Sequence, residues 1–438
     1  MSDSLLLENG ALWAGPDYYW PKGVLEIRNG KVSFAGPAES YRGREGFVGP
    51  RLDAGGGLIM PGLVNAHCHA PMVLFRGLAD DLPLAVWLNE HMFPAEARWV
   101  NEEMTELCGL LAAAEMLLSG TTCVGDAYFC AGGAARAFER AGLRAVVAQG
   151  VIDFPAPGAP DPGRGLEVAR RFVEEWQERS PLIRPALFAH SVYTCSPEKL
   201  KGVAALARET GAPWFTHLSE TRDEVAQVRQ TYGATPARHL ETLGLLSGLQ
   251  AAAHGVWLDR EELELLAARG VSLVHCPESN RKLASGLADV AGWLRAGLAV
   301  GLGTDGAASN NDLDMIAEVR SAALGDKLKN LDPASLPASQ ALDMAWEGSA
   351  RALGLQGRVG RLLPGFAGDA VVLDLDQPHF TPFFDAASAL VYAGRGSDVR
   401  HAVVAGRPAV RDRQVLGFDL PEVMARVKSL ARQVMGHG

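Results

Sequence analysis

Nowhere in its 438 residues does the chain carry a run of 18 apolar residues, so the sequence offers no membrane-spanning helix. The opening stretch MSDSLLLENG lacks the basic start and apolar centre of a secretory signal, which makes a cytoplasmic location the expectation. No long Lys/Arg run occurs, and the net charge is −10; nucleic acid is therefore not an expected partner, because phosphates call for a basic surface. A neutral or zwitterionic small molecule fits this balance better. The six cysteines, Cys68, Cys108, Cys123, Cys130, Cys195 and Cys276, include no C-x-x-C pair and read as reduced, mostly buried thiols.

What is present is the composition of a folded globular protein, with 48% hydrophobic and 21% charged residues. From residue 59 to about 305, short apolar runs alternate with longer segments of helical periodicity. The runs are GLIMPGLVNAH (57 to 67), TTCVGDAY (121 to 128), RAVVAQGVI (144 to 152), RPALFAHSV (184 to 192), APWFTHLSE (212 to 220), QAAAHGVWL (250 to 258), VSLVHCPES (271 to 279) and LAVGLGTDG (298 to 306). Near-continuous apolar runs suit parallel strands buried on both faces. The helices between them are punctuated: Ser196 as cap, Pro197 in the first turn and Gly211 at the far end of 196 to 211, acids first and Gly last in 101 to 120. Eight βα units in series predict an α/β fold with a closed (β/α)8 TIM barrel, an open doubly wound sheet being the alternative.

The ends read differently. Residues 1 to 56 and 369 to 416 alternate β-like runs with turns, Asn-Gly pairs among them, and neither segment is long enough to bury a core alone. Joined, they would make a small β-sandwich domain. The expected organisation is residues 1 to 58 as the N-terminal part of that domain, 59 to 365 as the barrel, and 366 to 438 as its C-terminal part with a terminal helix.

The histidines fall where a barrel places its chemistry. His67 and His69 close the first run, His190 the fourth, His217 the fifth, His254 the sixth, His275 the seventh, and Asp305 the eighth; in a barrel these ends share one face. Alternate residues of an extended chain point the same way, so His67 and His69 address one point while Cys68 faces the wall. With His217 and Asp305 they supply three imidazoles and a carboxylate. That set suits one divalent ion, Zn²⁺ first, with Fe²⁺, Mn²⁺ or Ni²⁺ as alternatives. Glu220 would serve beside it as a proton shuttle and His254 as a polarising group. His91, His239, His379, His401 and His437 lack such placement, and the parity that aims the histidines inward turns Cys68 and Cys276 away. Barrels that bridge two ions often use a modified lysine on the fourth strand, and PALFAHSV has none.

PGLVNAHCH, FTHLSE, AAAHGVWLD and GTDGAASNNDLDM resemble the metal-dependent amidohydrolase superfamily, most of all its branch of 5-methylthioadenosine/S-adenosylhomocysteine deaminases and related aminohydrolases. The likeness runs through nearly the whole chain, including the closing LLPGFAGDAVVLD. It implies a single-metal barrel with His67, His69, His217 and Asp305 as ligands, Glu220 and His254 acting on water, and Asp305 doubling as a base. In VWLNEHMFPAEA, Trp87 and Glu96 resemble an adenosine-binding pair, with Glu96 receiving the ribose hydroxyls. His190 matches a residue near the sugar, and Arg164 in DPGRG one that meets the amino-acid tail of a larger substrate. Two positions depart from the pattern: Gln149 stands in QGVID where an Arg is common, and Arg281 replaces an apolar residue in S-N-x-K-L-A-S-G. Both weigh against S-adenosylhomocysteine relative to 5′-methylthioadenosine, adenosine or 5′-deoxyadenosine. A homo-oligomer, dimer or tetramer, is also expected.

The reaction so implied is hydrolytic deamination of an adenine nucleoside to the inosine derivative and ammonia. The same machinery acting on a free base such as guanine, 8-oxoguanine or an s-triazine is the nearest rival, and it would leave Glu96 without a ribose. The zinc deaminases that act on cytidine are excluded by the lack of P-C-x-x-C. A nicotinamide-dependent oxidoreductase is the rival of another class, because GLGTDG (301 to 306) fits G-x-G-x-x-G with Asp326 about twenty residues on. It leaves the strand-end histidines unexplained. A metal-binding scaffold without catalysis would leave Glu220 and His254 idle.

Overall fold

The computed structural model describes residues 4 to 43 and 45 to 436, so His437 lies outside the described residues. Eight parallel strands, Leu63–Cys68, Thr121–Tyr128, Arg144–Val151, Ile183–Ser191, Trp214–Leu218, Ala251–His254, Ser272–His275 and Val300–Leu302, pair in strict chain order. The first strand is joined to the chain just past the end of the last: Asp305 donates its backbone N–H to the His67 carbonyl at 2.9 Å, and Asn65 and Thr304 exchange two further bonds. Closure removes the free edges that an open sheet would leave. The helix signals hold locally. Ser196 accepts from Lys199 N at the start of Pro197–Thr210, and Gly211 ends that helix in the left-handed region at φ 71°. Asn101 caps Glu102–Leu118.

The run at 57 to 67 is not one strand. Leu58–Pro61 belongs to the other sheet, and the barrel begins at Leu63, so the chain crosses between the two at Gly62. A Cβ at Gly62 would lie 1.9 Å from the Thr122 hydroxyl, which explains why the crossing falls there. The nine-stranded second sheet is built from both ends of the chain: Leu58–Pro61 lies between Ser4–Gly15 and Ala370–Leu373, and the latter pairs with Val399–Val404. Its side chains alternate with period two. Ile59, Ala370, Val372 and Val403 enter a core of their own with Leu5, Leu12 and Ile27, while Leu58, Met60, Val371 and Leu373 join the main core. Asn29-Gly30 makes the expected hairpin turn, both at positive φ. Asn9-Gly10 does not turn the chain; it is an irregularity inside Ser4–Gly15, where a Cβ on Gly10 would meet the Gly57 carbonyl at 2.5 Å. The terminal helix Leu420–Val434 packs Val423 and Val427 against the barrel helix Glu102–Leu118. Among the described residues no helix is long and apolar enough to cross a membrane.

Candidate active site

Four donor atoms converge at the barrel mouth. His69 Nε2 lies 3.2 Å from His217 Nε2 and 3.2 Å from Asp305 Oδ1; His67 Nε2 lies 3.3 Å from His217 Nε2 and 3.5 Å from Asp305 Oδ1. Ligands about 2.1 Å from a tetrahedral cation stand about 3.4 Å apart, and these four separations lie at that spacing; the donors fall into two overlapping groups, His67 with His69 and His217, and His67 with His254 and Asp305. The protonation states fit as well. Burial pushes His67 down to about 4 and, with the surrounding imidazoles, holds His217 well below its ordinary value, so both are neutral donors. Burial alone would raise Asp305, yet its bond with His67 and the imidazoles around it keep the carboxyl well below the usual range. His69 Nδ1 donates to the Ala127 carbonyl, which leaves its Nε2 lone pair facing the cluster.

The backbone is bent to aim these groups. Asp305, His254 and Ser219 have φ of 60°, 76° and 50°, a region that non-glycine residues avoid unless the surroundings impose it. Asp305 Oδ2 receives the hydroxyls of Ser279 at 2.6 Å and Ser309 at 2.9 Å, so only Oδ1 faces the imidazoles. Glu224 accepts from the Ser219 and Glu220 backbone N–H groups and fixes the turn that presents Glu220.

Beside the donors stands an acid and base pair. His254 Nε2 is 3.8 Å from Glu220 Oε2, and His254 Nδ1 donates to Asn280 Oδ1 at 2.9 Å. Burial raises Glu220; for His254, burial would lower the ring, but Glu220 and Asp305 outweigh it and the net direction is up. Ser285 Oγ donates to Glu220 Oε1 at 3.1 Å, and the Ser285 carbonyl accepts the Trp257 indole N–H at 2.7 Å.

The pocket over the cluster is lined by Trp87, Glu96 and His190 together with His69, His217, Glu220, His254 and Asp305. Glu96 sits 6% exposed, accepts from the Tyr128 phenol at 2.7 Å, and is pushed up to about 7 by burial. His190 bonds Thr194 and, through burial, falls to about 3.

Other candidates stand elsewhere. Gln149 is buried behind the wall, accepting from Ala131 N and donating to the Gly150 carbonyl. Arg164 lies on the surface, paired with Glu167. Arg281 turns toward Ser321 and the Pro277 carbonyl. His275 packs edge-on against Trp293 and does not line the pocket. Cys68 and Cys276 are buried with thiols pushed far up by desolvation, unfit for ligation. Asp326 is spent on Ala291 N and Ser335.

The sequence did not single out Tyr128, Ser279, Ser285, Ser309, Asn280 or Glu224. Tyr128 ends the second strand, so the strand-end logic that picked the histidines would have reached it; Ser279, Asn280 and Ser285 stand inside S-N-x-K-L-A-S-G and Ser309 inside GTDGAASNNDLDM, so the motifs held their positions but not their roles.

The model of the Amidohydrolase family matches residues 58 to 409. The chain is 46% identical over 435 residues, 99% of its length and 98% of the relative's, to a 5-methylthioadenosine/S-adenosylhomocysteine deaminase of Syntrophobacter fumaroxidans. It is 43% identical, over 88% of its length and 89% of the relative's, to a 5′-deoxyadenosine deaminase of Methanothermobacter thermautotrophicus. The solved structure of an adenosine deaminase from Xanthomonas campestris with bound zinc superposes with a TM-score of 0.94 at 36% identity, covering 99% of this chain and 98% of that one. A match across most of the chain, together with convergent histidines at parallel strand ends, makes this protein a member of the amidohydrolase family.

Proposed function

We propose that the protein hydrolytically deaminates the adenine ring of a nucleoside, 5′-methylthioadenosine, adenosine or 5′-deoxyadenosine, giving the inosine derivative and ammonia. One arrangement carries the reading: the Glu220 and His254 pair faces the donor cluster at one end of a pocket whose other wall is Glu96. The names of the relatives support it. His67, His69, His217 and Asp305 would hold one divalent cation, Zn²⁺ by the donor set and by the Xanthomonas structure. Such an ion acidifies water and so makes a nucleophile available at neutral pH.

The chain's own groups do the rest. His254, fixed by Asn280, polarises the water through Nε2, and the ionised Asp305 takes its proton. Glu220 Oε2 passes a proton to N1 of the ring, next to the carbon under attack, which draws developing charge off the ring; the proton held by Asp305 then goes to the amino group as the C6–N bond breaks and ammonia leaves, and the hydroxyl proton returns to Glu220 as the new C6 carbonyl forms. Trp87 and the lining aromatics bind the purine face. Glu96 accepts from the ribose hydroxyls and fixes the register of C6 over the donors.

The test is ammonia release by the metal-loaded protein across adenine nucleosides and free bases. Turnover of a nucleoside with little on guanine is expected; no ammonia from any adenine nucleoside sinks the reading.

A further inference from the structure

We propose that Lys282 is a positioning residue for substrate binding: its ammonium clasps Asp80 and so holds the segment of residues 77 to 93, which carries Trp87, against the pocket. The inference takes only its test substrate from the nucleoside deaminase reading, and one of its two readouts needs no catalysis.

Residues 77 to 93 follow the short helix Ala70–Phe75 and supply Leu84, Trp87, Leu88, Met92 and Phe93 to the pocket lining. They keep that place with little polar support. Their backbone bonds outside regular helix are local, from Leu78 N–H to the Phe75 carbonyl at 3.0 Å and from Trp87 N–H to the Pro83 carbonyl at 2.9 Å, and Asn89 turns its amide back to the Ala85 carbonyl. Among the described residues, Asp80 is the one member of 77 to 93 whose side chain reaches another part of the chain by a hydrogen bond or ion pair. Past the segment, Glu96 is tied to Tyr128. The wall is thus pinned at Asp80 and at Glu96, with Trp87 between them.

Lys282 closes the helix Pro277–Lys282 after the seventh barrel strand, and an ammonium has three N–H donors. All three are spent: on Asp80 Oδ1 at 2.7 Å, on the Ala308 carbonyl at 3.3 Å and on Asn311 Oδ1. Ala308 and Asn311 belong to the turn after the eighth strand, just beyond Asp305. One ammonium therefore joins the segments that follow the first, seventh and eighth strands. The bond from Lys282 holds the Asp80 carboxyl below its ordinary value, so the acid is ionised at neutral pH. With side chains 23% and 35% exposed, the pair is only partly shielded from water, and its loss costs a few-fold in binding rather than the fold.

The experiment compares the wild type with Asp80→Asn, which removes the charge from the segment and leaves Lys282 its other two acceptors. The substrate is 5′-deoxyadenosine, which offers Lys282 no charge to bind, so an effect on it passes through the clasp. KM should rise at least about threefold with kcat within about twofold, and Asp80→Glu, which keeps the charge, should recover most of the loss. Lys282→Met should raise KM at least as far, and adding Asp80→Asn to it should change nothing further. Hydrogen exchange, which needs no turnover, should run at least about threefold faster over 84 to 93 in Asp80→Asn, while the helix Met315–Asn330 keeps its rates. The clasp is overturned by a KM for Asp80→Asn less than about threefold above the wild type, by unaltered exchange over 84 to 93, or by a double variant whose KM rise is the product of the two single rises. No ammonia from 5′-deoxyadenosine with the wild type would overturn the deaminase reading instead, and the exchange rates would still decide for or against the clasp.

Discussion

Tyr128 donates its phenol to Glu96 Oε1 at 2.7 Å inside the pocket wall, and this bond is the one side-chain hydrogen bond that Glu96 receives among the described residues. Burial lifts Glu96 to about 7 while the bond to Tyr128 opposes the rise. Tyr128→Phe removes that support, so Glu96 holds its proton to higher pH and accepts ribose hydroxyls less well. KM for an adenine nucleoside should rise about tenfold with kcat within about twofold. Steady-state kinetics check it, and an unchanged KM removes Tyr128 from substrate binding.

The same carboxyl sets a pH dependence of stability. Its folded pKa of about 7 lies above the ordinary 4.5, so between those values the folded state keeps a proton that the unfolded state releases. The contribution is fully present below about pH 4.5 and lost as the pH rises past about 7, a swing of about 3 kcal/mol. Glu96→Gln, a mimic of the protonated form, should flatten this part of the curve. Chemical unfolding at several pH values, wild type minus variant, isolates the difference; parallel curves would show that Glu96 titrates alike in both states.

Asp305 combines charge with a left-handed backbone at φ 60°, a conformation that Asn also tolerates. Asp305→Asn therefore removes the charge and keeps the bend. Metal content should fall to a small fraction of one per chain, and ammonia release should drop on the order of a thousandfold. The rise in unfolding temperature that added Zn²⁺ gives the wild type should vanish. Full metal content in the variant would remove Asp305 from the ligand set.

Ser285 acts through Glu220. Its hydroxyl holds Oε1 at 3.1 Å and leaves Oε2 toward His254. Ser285→Ala should lower kcat about tenfold with KM unchanged, whereas Glu220→Gln should cost on the order of a thousandfold. Ser285→Thr, which keeps the hydroxyl, should recover most of the loss. A KM effect in place of a kcat effect would mean that Ser285 shapes the pocket rather than the acid.

How far the sequence carried the fold and the site follows from which signals are periodic. Strand ends are marked by apolar runs, so His67, His69, His217, His254 and Asp305 are legible in the sequence as one face. Gly62 is not, because a single crossing residue inside one apolar run, between Pro61 and Leu63, changes no periodicity. Asn9-Gly10 carries the same letters as the turn at Asn29-Gly30, and only the approach of Gly57 makes it an irregularity. Gln149 and Arg164 were placed by resemblance alone; their positions depend on whether Ala131 N and Glu167 claim them first, which is a matter of tertiary contact.

GLGTDG, whose glycines fit a nucleotide-binding loop, is where the barrel closes. A Cβ on Gly303 would lie 2.7 Å from the His67 carbonyl and 2.8 Å from its Cβ, in the span where Asp305 N bonds that same carbonyl. Backbone at such range cannot swing aside, so Gly303→Ala must push the first and eighth strands apart. Destabilisation of about 1 to 3 kcal/mol is expected, with metal affinity falling alongside because His67 moves. Gly325 is the control. It lies in the helix Met315–Asn330 with nothing within 4 Å of an added Cβ, so Gly325→Ala should stabilise by about 0.5 to 1 kcal/mol. Denaturant unfolding reads both signs, and a neutral Gly303→Ala would mean that the glycine serves something other than closure.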